Sequence, residues 1–175
     1  SNILQVFLRG SWAALKSGSI RPHRVGRHLG RTGKRSRIHP SAVVEGCWIG
    51  DDVEIGANAV VRGCILASGS SVEDLAMVEF SVLGPGAVVQ RQAMVKYSVL
   101  GPRSAAGGLM QLGTLDRAAA LKRTGVLMDV SFGQGVRVRC GDRFYAAPLD
   151  MAGVCVGEGT TVGAGGSVAA GRSIP

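Results

Sequence analysis

Broken every seventeen residues, the stretch from Val44 to Gln111 reads VEGCWIGDDVEIGANAV, VRGCILASGSSVEDLAM, VEFSVLGPGAVVQRQAM and VKYSVLGPRSAAGGLMQ. Counted from Ile38, large aliphatics recur at Val44, Ile49, Ile55, Val61, Leu66, Val72, Val78, Leu83, Val89, Val95 and Leu100, at spacings of six, five and six. One deep aliphatic per five or six residues fits neither an amphipathic helix nor a hairpin. It fits a short strand followed by a bend, with three such segments closing one triangular turn of a parallel β-helix.

The columns of this frame carry the same message. Ile38, Ile55, Val72 and Val89 form one inward ladder, and Ala42, Ala59, Ala76 and Ala93 a second, where a bulkier side chain would overpack a narrow interior. One corner column reads Gly50-Asp51-Asp52, Ala67-Ser68-Gly69, Gly84-Pro85-Gly86 and Gly101-Pro102-Arg103, residues that supply turn conformations. Coils should sit about 4.8 Å apart, so outward columns become ladders too. Glu45, Arg62, Glu79 and Lys96 alternate in sign and predict cross-coil ion pairs. Val43, Val60, Met77 and Met94 make an apolar stripe, Phe80 stacks on Tyr97, and Cys47 and Cys64 share a column with Ser81 and Ser98. Parallel side chains on adjacent strands are poorly arranged for a disulfide, so these cysteines are expected as thiols.

Composition agrees. The 175 residues, 46% hydrophobic, suffice for one domain, and 27 glycines against 5% aromatics suit an array of tight corners around small core side chains. No apolar run is long enough to span a membrane and no secretory signal is apparent, which makes a cytoplasmic protein the expectation. Four cysteines without a C-x-x-C pair or a histidine cluster predict no metal site. Residues 1–37 hold nine Lys/Arg and no acid, leaving eleven basic and twelve acidic residues beyond them. The run RPHRVGRHLGRTGKRSR lacks interleaved aromatics, so nucleic acid is not an expected partner.

The expected fold class is therefore mainly all-β, in four segments. Residues 1–37 are read as a basic cap or linker with a short helix over SNILQVFLRGSWAALKSG, and 38–111 as the coils. Residues 112–150 are read as an excursion and 151–175 as the final coil. Within the excursion, TLDRAAALKRTG carries the marks of a capped helix: Thr114 as N-cap, Asp116 in the first turn, Lys122 and Arg123 in the last, and Gly125 beyond. VRVRC and RFYAA flank Gly141-Asp142 as a hairpin.

These residues resemble a known superfamily. RIHPSAVVEGCWIGDDVEIGANAVV, the V-x-x-S-V-L-G-P units at Val78 and Val95, and the ending VGEGTTVGAGGSVAAGRSIP are similar to hexapeptide-repeat proteins of the left-handed β-helix superfamily. The V-x-x-S-V-L-G-P units are most like the C-terminal domains of sugar-1-phosphate nucleotidyltransferases, and the ending is like the last coil of acyltransferases. The resemblance implies left-handed coils and a homo-oligomer. Its first functional expectation is a nucleotidyltransferase-type coil domain without the nucleotide-binding domain, open to a sugar nucleotide or sugar phosphate. The alternative is an acyl-CoA-dependent acyltransferase with acyl-CoA as co-substrate and no resident cofactor. In that reading Arg103 and Arg172 would meet the CoA phosphates, and Ala164, Gly165, Gly166 and Ser167 the pantetheine. Acyltransferases of this kind use a histidine base. Only His23, His28 and His39 exist, the first two in the basic segment, which leaves His39 and Asp129 as catalytic candidates.

Overall fold

The computed structural model describes residues 31–131, 135–140, 142–147 and 151–175. Strands of two or three residues wind into a three-sided parallel coil. Face I holds eight strands, from Arg31–Thr32 through Trp48–Ile49 to Ser173–Ile174. Face II holds seven, from Arg37–Ile38 to Thr161–Val162, and face III seven, from Val43–Glu45 to Ser167–Val168. The chain runs I to II to III, and each strand pairs in parallel with its equivalent one coil away, as Ile38 with Ile55 and Val61 with Val78.

The inward columns build a continuous core. Leu66, Leu83, Leu100 and Leu115 on face I, Val72, Val89 and Leu121 on face II, and Val61, Val78, Val95, Met110 and Leu127 on face III are all buried. The column before each face III strand runs Ala59, Ala76, Ala93, then Gly108, Gly125 and Gly166, each carbonyl accepting from the strand of the preceding coil. At the edge from face III to face I the chain reverses on one residue with positive φ: Gly46, Gly63, Phe80, Tyr97, Leu112 and Gly171. Phe80 and Tyr97 lie parallel there with centroids 5.3 Å apart, and the Phe80 ring fills the space over Gly63.

The sign-alternating column forms as expected. Arg62 reaches Glu45 at 3.0 Å and Glu79 at 3.3 Å, and Lys96 reaches Glu79 at 3.0 Å. Lys96 first, and then Arg62, hold the Glu79 carboxyl below the usual glutamate range. The V-x-x-S motif also acquires a structural meaning. The hydroxyls of Ser81 and Ser98 donate to the carbonyls of Glu79 and Lys96 two residues back, and accept from the backbone N–H groups of Ser98 and Gly113. Cys47 and Cys64 occupy the same column as free, buried thiols whose Sγ lie against the carbonyls of Glu45 and Arg62. The neighbouring Cys47 thiol, and then burial, push the Cys64 pKa upward.

Several expectations are corrected. The coil extends upstream of Ile38 at least to Arg31, the first described residue, because Arg31 and Thr32 pair with Trp48 and Ile49. The proposed N-terminal helix and its histidines, His23 and His28, lie outside the described residues. Residues 114–125 form no helix: Thr114–Leu115 and Ala120–Leu121 are coil strands paired with Val99–Leu100 and Ala105–Ala106. The row from Val95 to Leu109 has fifteen residues, since Met110 pairs with Val95 and Leu100 with Leu115. Two residues are missing at the corner between faces II and III, where Gly107 and Gly108 make the turn. A side chain at Gly108 would strike the Gly125 backbone of the next coil, and one at Gly107 would displace the Gln90 side chain of the preceding coil and press on the backbone of Leu121 and Arg123. The excursion accordingly spans 128–154 and leaves from the edge between faces III and I. Among the described residues no helix is long and apolar enough to cross a membrane.

Candidate functional site

The excursion interrupts the chain between Leu127 and Cys155 without interrupting the ladder, because Thr114 and Leu115 pair directly with Cys155 and Val156. Its base is an antiparallel stem. Val130 bridges Met151, and the Ala152 N–H donates to the Asp129 carbonyl at 2.9 Å. Beyond it the predicted hairpin forms from Arg137–Cys140 and Arg143–Ala146, extended by the Ala147 N–H donating to the Val136 carbonyl at 2.8 Å.

The hairpin base packs on the last coil. Val136 is buried, and Gly171 turns beneath it with φ of +72°. A Cβ at Gly171 would approach the Arg137 carbonyl oxygen and Val136 Cγ1 to 3.0 Å, so glycine is required both by φ and by this contact. Hairpin and coil enclose a cleft of about 570 Å³ lined by Met128, Val130, Ser131, Gly135, Val136, Arg137, Phe144, Ala169, Ala170 and Arg172. That volume lies within the usual range for small-molecule sites.

Arg172 reaches the cleft through its place in the repeat. The column before each face I strand runs Cys47, Cys64, Ser81, Ser98, Gly113, Val154 and Arg172, with the Arg172 carbonyl accepting from the Cys155 N–H as the Cys64 carbonyl accepts from Trp48. Earlier members are small or apolar, and all but the glycine turn a side chain into the coil. Arg172 departs from this pattern: its side chain is exposed and lies at the cleft. Arg137 approaches from the hairpin, its guanidinium carbon 5.9 Å from the Phe144 ring centroid, within cation–π range. Among the described residues the lining has no acidic residue and no carboxylate pairs with Arg137 or Arg172.

The other candidates are not brought together. Arg103 stands exposed at the corner between faces I and II with φ of +58°, and Ala164, Gly165 and Gly166 form the last corner between faces II and III, followed by Ser167 in its strand. Arg172 is on the third edge, so these groups occupy three different edges of the prism. His39 is exposed on the first complete coil, six coil steps, or about 29 Å, from the last. Its Nδ1 accepts from the Ser41 backbone N–H at 3.2 Å and lies 2.8 Å from Ser41 Oγ, a local turn contact. Asp129 is half-buried and flanked in sequence by two lining residues, Met128 and Val130. Sequence reasoning missed Arg137 and the apolar walls. The available signal was Arg172, the one charge in an inward-turning column.

Residues 31–63 match the bacterial transferase hexapeptide (six repeats) family model. A search of curated proteins found no match. Among solved structures, the chain is similar to the acetyltransferase domain of PglB from Neisseria gonorrhoeae in complex with acetyl coenzyme A. That likeness has 19% identity, covers 52% of this chain and 45% of that one, and has a TM-score of 0.39. It is also similar to GDP-perosamine N-acetyl transferase from Caulobacter crescentus in complex with CoA and GDP-perosamine, at 18% identity, covering 85% of this chain and 51% of that one, with a TM-score of 0.38. The chain spans about half the length of each, and likeness at this level carries no chemistry across. The nucleotidyltransferase kinship implied by V-x-x-S-V-L-G-P is not shown by these matches, and the structure gives that motif a role in building the coil edge. Residues 31–63 thus carry the hexapeptide-type match, and the described residues build a parallel β-solenoid.

Proposed function

We propose that this chain is a hexapeptide-repeat transferase that takes an acyl-CoA as donor and holds it in the cleft between the hairpin and the last coil. The observation that carries this reading is the cleft's composition. Apolar and small walls from Met128, Val130, Val136, Ala169 and Ala170 suit a thioester arm, and guanidinium charge suits the phosphates. The transferase-type repeats at 31–63 support the same reading. In acyl transfer an acceptor hydroxyl or amine attacks the thioester carbonyl, its proton passes to a general base, and CoA leaves as the thiol. Asp129, next in sequence to the wall residues Met128 and Val130 but outside the lining itself, is our candidate base, reaching an acceptor at the cleft's margin; His39 is too distant within one chain.

The test is a thermal-shift panel with acetyl-CoA, longer acyl-CoAs, CoA and sugar nucleotides. A ligand at about 100 times its Kd stabilises by roughly 2.7 kcal/mol. Stabilisation by CoA and acyl-CoAs, lost in Arg172→Gln, supports the reading. Stabilisation by sugar nucleotides alone would replace it with a ligand-binding domain of nucleotidyltransferase type. If turnover is found, Asp129→Asn should lower it while leaving donor binding intact.

A further inference from the structure

We infer that Arg137 and Arg172 form a two-point clamp for a diphosphate, one guanidinium supplied by the hairpin and the other by the last coil. The inference rests on the proposed function only for the identity of the cleft, because a diphosphate is common to CoA and to sugar nucleotides.

The clamp is argued first from charge. Several guanidinium groups of the coil find carboxylates one coil away, Arg35 with Asp52 at 2.6 Å, Arg91 with Asp74 at 2.9 Å, and Arg62 between Glu45 and Glu79, while others such as Arg103 and Arg123 stand singly on separate corners. Arg137 and Arg172 line one cleft together, and among the described residues that cleft has no acidic lining residue and neither guanidinium has a carboxylate partner. Two like charges facing a partly apolar cleft disfavour one another unless an anion lies between them. A diphosphate offers oxygen pairs that match the planar guanidinium fork.

The second argument is placement. Arg172 occupies a column otherwise filled by small or apolar residues, and beside it Ala169 and Ala170 keep the floor shallow. Arg137 is held from behind by the Phe144 ring, which fixes its guanidinium without neutralising it. Because Val136 and the Arg137 backbone pack against Gly171, the two groups are presented from surfaces already in contact. A bound diphosphate would therefore tie the hairpin to the coil and slow exchange of the hairpin amides.

The experiment uses the full chain, with inorganic pyrophosphate, acetyl-CoA and a UDP-sugar as probes. Calorimetry measures affinity, and hydrogen exchange follows residues 137–146. We expect pyrophosphate to bind, and Arg137→Gln and Arg172→Gln each to weaken it at least tenfold. Arg103→Gln, on another edge, should leave binding unchanged, and ligand should raise hairpin protection. Thermal melts of the variants establish that each is folded; if one is not, the corresponding Arg→Lys variant, which keeps the charge and loses the fork, should show an intermediate loss. No pyrophosphate binding, or binding indifferent to both glutamine variants, overturns the clamp. Acetyl-CoA binding that survives both variants overturns the clamp and leaves the acyl-donor reading standing. Binding of pyrophosphate and the UDP-sugar without acetyl-CoA upholds the clamp and overturns the donor reading.

Discussion

Ser70 sits in the column before the face II strands, fully buried, and its hydroxyl has no hydrogen-bond partner among the described residues. Its column mates show the alternatives. Ser36 Oγ donates to the Gly50 carbonyl and Ser104 Oγ to the Gly101 carbonyl, each at 2.8 Å, while Val53 and Ala87 are buried there with no polar atom to satisfy. A buried hydroxyl without a partner costs about 1–3 kcal/mol, and a made hydrogen bond is worth about 0.5–1.5 kcal/mol net. Ser70→Ala should therefore stabilise by about 1 kcal/mol, and Ser104→Ala should destabilise by about the same. Both remove one oxygen from an identically shaped site, so the cavity contribution cancels in the comparison. For a domain of this size 1 kcal/mol corresponds to roughly 2–4 °C in Tm. Thermal melts and urea titrations on one spectroscopic signal, with unchanged m-values, provide the measurement. Equal destabilisation by the two substitutions would refute the assignment of Ser70 as an orphan and, with it, the reasoning that the column tolerates rather than needs a hydroxyl.

Three further outcomes are expected. Cys64→Ser should change stability by less than about 1 kcal/mol in denaturant titration, because the coil above uses serine in that place and the carbonyls of Arg62 and Val78 can take the hydroxyl; a loss of several kcal/mol would count against the column. Gly108→Ala should cost about 1–3 kcal/mol or more, since its methyl group meets the Gly125 backbone, whereas Gly159→Ala meets nothing and suffers only its positive φ. Glu79 has a depressed carboxyl pKa in the folded chain, so its contribution is complete above the ordinary glutamate value, about 4.3, and is lost as pH falls through the lower folded value. Glu79→Gln should remove that acid-limb dependence in melts between pH 6 and about pH 3, and an unaltered profile would argue that the ladder contributes nothing.

The coil was legible wherever its period held. Aliphatics from Ile38 to Leu100 predicted strands, faces, register and the Glu45–Arg62–Glu79–Lys96 ladder, because the inward position of each strand is buried and takes an aliphatic side chain at a fixed spacing. Reading failed at Gly107-Gly108, where a two-residue deletion shifted the frame. Thr114, Asp116, Lys122 and Gly125 then imitated helix caps, although Leu115, Leu121 and Leu127 keep the six-residue spacing. The cleft was less legible because it joins residues from the hairpin and the last coil, and tertiary closure of that kind leaves no period. Arg172, singled out for its charge, lies at the cleft, whereas Arg137 was not singled out, being in a strand whose partner face could not be read from alternation alone. Arg103 and Ala164–Ser167 were plausible one by one, but the prism assigns them to separate edges.

Leu115 pairs with Val156 across an excursion of 27 residues, 128–154, in the same register as Leu83 pairs with Leu100 across one uninterrupted coil. Neighbouring coils supply the register, so the chain can leave the edge between faces III and I and return without altering pitch. That edge is a cassette port. A loop of different length or chemistry could be exchanged at 128–154, keeping Gly153 and Gly171 as its two footings, and the surface the excursion presents could be rewritten while the coil's stability was left to the ladder.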